Sequence, residues 1–222
     1  MAERSVEQAH LMAAAARLRL QLTAAGADQL LTLLDELTRW NRAYNLTAVR
    51  ERGEMITHHL LDSLSVLPAL AGQRVLDVGT GPGFPGLVLA LVDPHRDYTL
   101  LDSNGKKIRF VEHALRTFAL RNARAVQSRV EDYRPPSGFD TVIGRAYAPA
   151  PRFAASCRHL LAPGGELLMM KGRHPAEELR PLAGEWLIEV DAVEVPGLHE
   201  VRHLVRLRLA SASTDAPLQE RT

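Results

Sequence analysis

A glycine-rich turn after a short apolar run is the part of this sequence best suited to bind a ligand. The branched run 75–78 has the character of a buried parallel strand, and four glycines follow within eight residues, at positions 79, 81, 83 and 86. Glycine lets the backbone turn tightly and approach a ligand where a Cβ would collide. The pattern predicts a strand, a turn and a helix, with a nucleotide-like cofactor at the turn.

The turn fits two motifs that differ in register. Residues 81–86 match the G-x-G-x-x-G pattern of dinucleotide-binding proteins, whereas residues 77–83 give an acid followed by G-x-G-x-G. The second register fits the strand better, because Gly79 comes directly after the last apolar strand residue. Asp77 then lies at the carboxyl end of the strand, where doubly wound sheets bind ligands, and its carboxylate can hold a cationic ammonium group.

Polar residues follow the later strands at the same predicted edge of the sheet. Asp102 ends the second strand, where an acid can take a ribose diol in two hydrogen bonds or, alternatively, cap the next helix. After the third strand, Val130 can contact an adenine ring and Glu131 its polar edge. Arg145 and Lys171 follow the fourth and fifth strands, and two cations there suit nucleic-acid phosphates or a substrate carbonyl.

Beyond residue 71 the sequence alternates between strand and helix patterns, which predicts an α/β fold with a parallel sheet and right-handed crossovers. The predicted strands are 74–78, 97–102, 123–127, 139–144 and 166–171, and the predicted helices are 87–92, 106–120 and 153–161. Two extended runs follow, at 186–195 and 202–209, and the second alternates cleanly between apolar and Arg residues. These runs predict an antiparallel hairpin at the edge of a mostly parallel, seven-stranded sheet.

Three amphipathic helix patterns, at 6–22, 28–42 and 54–67, precede the sheet. We therefore predict an N-terminal helical cap (1–70), a main domain (71–210) and a disordered tail (211–222). Between the second and third helices, Asn41, Tyr44 and Asn45 suit stacking on and hydrogen bonding to a base. The alternative is that Trp40 and Tyr44 pack the cap onto the main domain.

Composition and charge limit the protein class. The 222 residues are 46% hydrophobic and 24% charged, which is typical of a globular α/β domain with a modest extension. One cysteine and no apolar run of about twenty residues predict a cytoplasmic protein without disulfides or membrane spans. We expect no metal, because His58 and Asp62, one helical turn apart, lack a third ligand.

The charge is unevenly distributed along the chain. The net charge is +1, yet residues 103–158 carry eleven Lys or Arg against four Asp or Glu. Such a segment suits a polyanionic partner, because phosphate neutralisation supplies most of the non-specific affinity for nucleic acids. The alternative is a genome that favours Arg codons, since 24 of the 27 basic residues are Arg.

The sequence resembles the class I S-adenosylmethionine-dependent methyltransferases, which have a Rossmann-like fold. More narrowly, it resembles the ribosomal RNA small subunit methyltransferase G family, also called glucose-inhibited division protein B, from about residue 28 to residue 209. The motifs that carry this resemblance are Trp40-Asn41, Tyr44-Asn45-Leu46-Thr47, His59-x-x-Asp62-Ser63, Gly79-Thr80-Gly81-Pro82-Gly83-x-Pro85-Gly86, Leu101-Asp102-Ser103, Ser128-Arg129-Val130-Glu131, Arg145-Ala146, Lys171-Gly172 and Arg202-His203-Leu204.

The resemblance implies S-adenosylmethionine-dependent methylation of N7 on one guanosine in a 16S rRNA loop near the decoding centre. It implies as substrate 16S rRNA, the small ribosomal subunit or an assembly intermediate, and we expect a monomer. The family's cofactor contacts fall on Gly79, Phe84, Val130, Glu131 and Arg145, and some members have leucine in place of Phe84. Together with the motif residues, the predicted cofactor set is Asp77, Gly79, Gly81, Phe84, Asp102, Val130, Glu131 and Arg145.

Guanine N7 carries an exposed lone pair and no proton, so its methylation requires no general base. We therefore predict no certain catalytic residue and keep Arg145 and Lys171 as candidates. The predicted RNA-binding residues are Asn41, Tyr44, Asn45, Lys171, Arg202 and His203. Three other functions fit parts of the sequence: a nicotinamide-dependent dehydrogenase, a small-molecule methyltransferase, and a nucleotide-sensing regulator of cell division that has no enzymatic turnover.

Overall fold

The computed structural model describes residues 2–210, and the predicted tail, 211–222, lies outside the described residues. Its centre is a seven-stranded sheet in the order β3-β2-β1-β4-β5-β7-β6. The strands are β1 (Arg74–Val78), β2 (Asp97–Asp102), β3 (Ala123–Gln127), β4 (Phe139–Arg145), β5 (Leu161–Lys171), β6 (Trp186–Val193) and β7 (Arg202–Leu209). The pairs among β1 to β5 are parallel, whereas β7 is antiparallel to both β5 and β6. The predicted sheet and edge hairpin are confirmed.

Helices cover the sheet. They are α1 (Ala2–Arg17), α2 (Ala24–Tyr44), α3 (Arg52–Met55), α4 (Asp62–Leu64), α5 (Gly86–Val92), α6 (Gly105–Thr117), α7 (Ala150–Cys157) and α8 (Ala176–Leu179), with a π-helix at Ile56–Leu61. The central strands are buried along nearly their whole length, as expected for parallel strands with helices on both faces. Because β1 pairs with β2 on one side and β4 on the other, the strand order reverses at β1, and a crevice opens there at the carboxyl ends.

The helices of the cap share one hydrophobic core with α5 and α6. Leu30, Leu34 and Leu60 of the cap belong to the same buried cluster as Leu87 and Phe110. Trp40 lies edge-on to Phe110, with 5.7 Å between ring centroids, and 4.9 Å from His113. The packing alternative for Trp40 is therefore confirmed, while the division of the chain near residue 70 stays a prediction.

The first and third helices predicted for the cap differ from the structure. The first helix ends at Arg17. Thr23 is the N-cap of the next helix, because the Thr23 Oγ1 accepts a hydrogen bond from the Gly26 amide at 3.0 Å. Gly26 therefore lies inside the second helix and does not end the first. The uninterrupted helix predicted at 54–67 is also wrong. The Asp62 amide donates to the Thr57 carbonyl, five residues back, so an extra residue enters the turn and forms the π-helix.

Candidate active site and nucleic-acid interface

The glycine turn joins β1 to α5 beneath the carboxyl edge of the sheet. Gly79 has a φ of +66°, and a Cβ there would lie 2.7 Å from Tyr147 Cδ2. The Thr80 amide donates to the Leu101 carbonyl at 3.0 Å, and the Thr80 carbonyl accepts from the Phe84 amide at 2.9 Å. The turn is thus fixed to β2, and only glycine fits where it starts.

Asp77 anchors this turn from below. Its Oδ2 accepts hydrogen bonds from Thr80 Oγ1 at 2.6 Å and from the Gly86 amide at 2.8 Å. The side chain is fully buried, and Oδ1 has no hydrogen-bond partner among residues 2–210. Burial raises the pKa of this carboxyl to about 6, although the two hydrogen bonds and Arg145 act in the opposite direction. The predicted contact of Asp77 with an ammonium group stays a prediction, because Asp77 does not line the cleft described next.

A cleft of about 340 Å³ lies above the turn at the ends of β1 to β4. It is lined by residues from four loops, namely Val78, Gly79, Leu101, Asp102, Ser103, Lys107, Ser128, Arg129, Val130, Glu131, Ala146, Tyr147 and Arg152. The Asp102 carboxylate is fixed in place: Oδ2 accepts from the Gly81 amide at 2.9 Å and Oδ1 from the Asn104 amide at 2.8 Å. The cap of α6 is Asn104, so Asp102 is not the helix cap.

The sequence placed four of these lining residues correctly at the cleft: Gly79, Asp102, Val130 and Glu131. Arg129 was predicted only as part of a loop motif, and Lys107, Arg152 and Tyr147 were not singled out. The signal for the three cations was the basic segment at 103–158, but that segment is divided in the structure. Arg121 and Arg124, for example, line a separate cavity that also contains Asp97, the first residue of β2.

A second cavity, of about 360 Å³, adjoins the cleft, and Ala146 lines both. Its other lining residues come from the π-helix and from the ends of β4, β5 and β7, namely His58, His59, Asp62, Arg145, Met170, Lys171, Gly172 and Arg202. Arg145 Nη1 donates to the His58 carbonyl at 2.9 Å and lies 3.3 Å from Asp62 Oδ2. Arg145 thus lines the second cavity and not the cleft, and both its predicted substrate role and its predicted cofactor contact stay predictions.

Phe84 lies under this second cavity and is only 2% exposed. Its ring stacks on His59, with 4.7 Å between centroids and 19° between planes, and the Arg145 guanidinium carbon lies 5.8 Å from the ring. Burial and the nearby charges of Arg145 and His58 lower the pKa of His59 to about 4. His59 is therefore neutral at neutral pH, and its Nε2 lies 3.0 Å from Thr47 Oγ1.

The predicted RNA-binding residues of the cap do not share one environment. Asn41 is buried, and its amide group exchanges two hydrogen bonds with the backbone of Thr47: Nδ2 donates to the Thr47 carbonyl at 3.0 Å and Oδ1 accepts from the Thr47 amide at 2.9 Å. Tyr44 is 41% exposed and stacks beside Trp40. Asn45 ends α2 with a φ of +50°, and its Oδ1 accepts from Arg50. The RNA prediction for Asn41, Tyr44 and Asn45 stays a prediction, and in Asn41 the amide group also bonds to the backbone of Thr47.

The remaining RNA candidates lie at the carboxyl end of β5 and the start of β7. Lys171 Nζ donates to Glu178 at 2.7 Å and Arg202 Nε to Asp62 Oδ1 at 2.9 Å. His203 is half-buried beside His174, and its Nδ1 has no hydrogen-bond partner. The three cations that line the second cavity are thus each paired with a carboxylate.

Comparison with known proteins assigns this site to a family. The model of the family described as "rRNA small subunit methyltransferase G" matches residues 27–205. The chain belongs to this family. A ribosomal RNA small subunit methyltransferase G from Chromohalobacter salexigens is 50% identical over 91% of this chain and 98% of the relative. The one from Shewanella amazonensis is 46% identical over 86% of this chain and 94% of the relative.

Solved structures confirm the class I methyltransferase fold. DhpI, in a complex with SAH, is similar with a TM-score of 0.57 at 21% identity, covering 81% of this chain and 98% of that chain. The magnesium protoporphyrin IX methyltransferase of Synechocystis, with bound SAM, gives 0.55 at 21% identity, covering 78% and 90%. Within residues 2–210, every helix is too short or too polar to pass through a bilayer.

Proposed function

We propose that this chain transfers a methyl group from S-adenosylmethionine to N7 of one guanosine in 16S rRNA, with the cofactor in the cleft and the guanine in the second cavity. Membership of the methyltransferase G family supports the enzyme class, the cofactor and the rRNA substrate. The structural observation that supports the placement is the contact between the two cavities, which meet at Ala146. A methyl donor bound in the cleft and a guanine bound in the second cavity would therefore be neighbours.

The cleft suits S-adenosylmethionine in size and chemistry. Its volume of about 340 Å³ is within the range of small-molecule sites. We assign Asp102 to the ribose hydroxyls, Val130 to one face of the adenine, Glu131 to the adenine edge, and Asp77 to the ammonium group. Gly79 and Gly81 leave room at the turn, and when bound, the cofactor supplies an electrophilic methyl group on its sulfonium sulfur.

The second cavity suits a reaction without proton transfer. His59, which lines this cavity, is neutral and is held by Thr47 and by the stack on Phe84. Guanine N7 is already a lone-pair nucleophile, so the residues need only hold the base in line with the methyl group. We assign this orientation to Arg145, which can donate to the guanine carbonyl oxygen, and to Lys171 and Arg202, which can pair with flanking phosphates.

We propose that the chain works in the cytoplasm as a monomer on a small-subunit assembly intermediate, in which the target base can leave its stack. Labelled methyl transfer to naked 16S rRNA, mature subunits and precursor particles tests this substrate, with the modified base mapped by cleavage at N7-methylguanosine. We expect one labelled guanosine and the fastest transfer on precursor particles. Label at many guanosines, or on another atom, would contradict the proposed reaction.

A further inference from the structure

Asp62 occupies an unusual position between two arginines of the second cavity. It is 5% exposed, and its two carboxylate oxygens bind different partners: Oδ1 accepts from Arg202 Nε at 2.9 Å, and Oδ2 lies 3.3 Å from Arg145 Nη1. Arg145 ends β4 and Arg202 begins β7, and β5 lies between these strands. One carboxylate from the cap therefore binds an arginine from each of the two strands, β4 and β7, that flank the end of β5.

The π-helix places Asp62 for this role. Its wide turn brings the His58 carbonyl and the Asp62 carboxylate to the same guanidinium, so that Arg145 Nη1 meets both. π-helical turns are frequent at functional sites, because the extra residue disturbs the regular helix. On the other side, Gly172 leaves space for Arg202: a Cβ at Gly172 would lie 3.2 Å from Arg202 Nη1. Arg145 is thus held by two contacts, and Arg202 is held by Asp62 in space that Gly172 leaves open.

We propose that Asp62 is a positioning residue for methyl transfer, which holds the guanidinium groups of Arg145 and Arg202 in one arrangement at the second cavity. The inference rests on the proposed function, in which these arginines orient the target nucleotide. A free arginine has many rotamers, and two neighbouring guanidinium groups repel each other. The shared carboxylate removes both effects before RNA arrives, so less ordering is required when the nucleotide binds.

Asp62→Asn tests the inference, with Glu166→Gln as its matched control. Glu166 is also a buried carboxylate, 2% exposed, that accepts from two arginines, Arg206 and Arg208, but it lies in the middle of β5 and lines neither cavity. Both variants remove one negative charge from a pair of arginines. An effect on folding stability should therefore appear in both variants, whereas an effect on the reaction should appear only in Asp62→Asn.

We expect Asp62→Asn to lower kcat for rRNA methylation roughly tenfold to a hundredfold, the usual effect of a misplaced reacting group. The Kd for S-adenosylmethionine should stay within about twofold, and affinity for rRNA at low salt should equal or exceed that of the wild type, because two cations are released. Glu166→Gln should keep wild-type kcat. Wild-type kcat in Asp62→Asn, or a parallel loss of cofactor and RNA binding, would overturn the inference.

Asp62→Glu keeps the test decisive if the asparagine variant does not fold. It retains the charge but displaces the carboxylate by one methylene, so we expect a folded enzyme with normal cofactor binding and an intermediate kcat. A glutamate variant with wild-type kcat would also overturn the inference. If the wild-type protein itself transfers no methyl group to rRNA, the proposed function fails, and this result is distinct from any difference between the variants.

Discussion

Asp77 gives the protein a pH-dependent stability that one substitution removes. Burial raises the pKa of this carboxyl from its ordinary value of 3.8 to about 6 in the folded protein. Between these two values the folded state binds more protons than the unfolded state, so stability falls as pH rises. Since one pKa unit corresponds to about 1.4 kcal/mol, the loss is about 3 kcal/mol and is complete above about pH 6.

Asp77→Asn should abolish this loss. The amide oxygen can still accept from Thr80 Oγ1 and the Gly86 amide, but the side chain no longer titrates. The new NH₂ group lies where Oδ1 has no partner, which costs about 1–3 kcal/mol at every pH. The absolute stability therefore combines two effects, whereas its change with pH reports the carboxyl alone.

The assay is urea unfolding of both proteins at intervals from pH 4 to pH 7. We expect the wild type to lose about 2 kcal/mol more than the variant over this range, because part of the loss precedes pH 4 and all other titrating groups are common to both. Parallel curves would refute the reasoning. In calorimetry at pH 7, the variant should bind S-adenosylmethionine at least about tenfold more weakly, as expected when a charged hydrogen-bonding partner is lost.

Three further substitutions test separate parts of the site. Gly79→Ala should weaken cofactor binding at least about tenfold in calorimetry, because its Cβ meets Tyr147. The control Gly164→Ala, also at positive φ but with open space around it, should cost only about 1–2 kcal/mol of stability. Equal cofactor Kd values for the two variants would contradict the clash at Gly79. Asn41→Ala should lower the unfolding free energy by about 1–3 kcal/mol without weakening rRNA binding, and the reverse result would support Asn41 as an RNA contact. Arg202→Ala should reduce by about one the slope of log affinity for rRNA against log salt, and an unchanged slope would exclude a phosphate contact.

Much of the sheet could be predicted, because each strand is a short branched run between glycine, proline or charged residues. The predicted bounds of β1, β2, β3 and β7 agree with the structure. β5 was predicted too short at its start: it begins at Leu161 and continues through Pro163 and Gly164, which typically end an element. An irregular register between Phe139 and Thr141 accompanies this early part of β5.

The parts of the site that escaped prediction depend on distant contacts. Asp62 and Arg202 are 140 residues apart in sequence, so no local pattern joins them. The π-helix also has no signature in apolar spacing, since its residues continue an ordinary amphipathic pattern. Asn41 shows the opposite difficulty: an amide suits a base and a backbone equally well, and its two hydrogen bonds to Thr47 depend on a fold that residue type does not reveal. Residue type was thus enough to predict lining residues of the cleft, whereas the contacts in the second cavity depend on long-range packing.

The most direct test of the central claim is the methylation state of 16S rRNA in a strain that lacks this chain. We expect one guanosine to lack its N7-methyl group, and expression of the wild-type chain, but not of Gly79→Ala, to restore it. A full complement of N7-methylguanosine in the 16S rRNA of the deletion strain would contradict the proposed function.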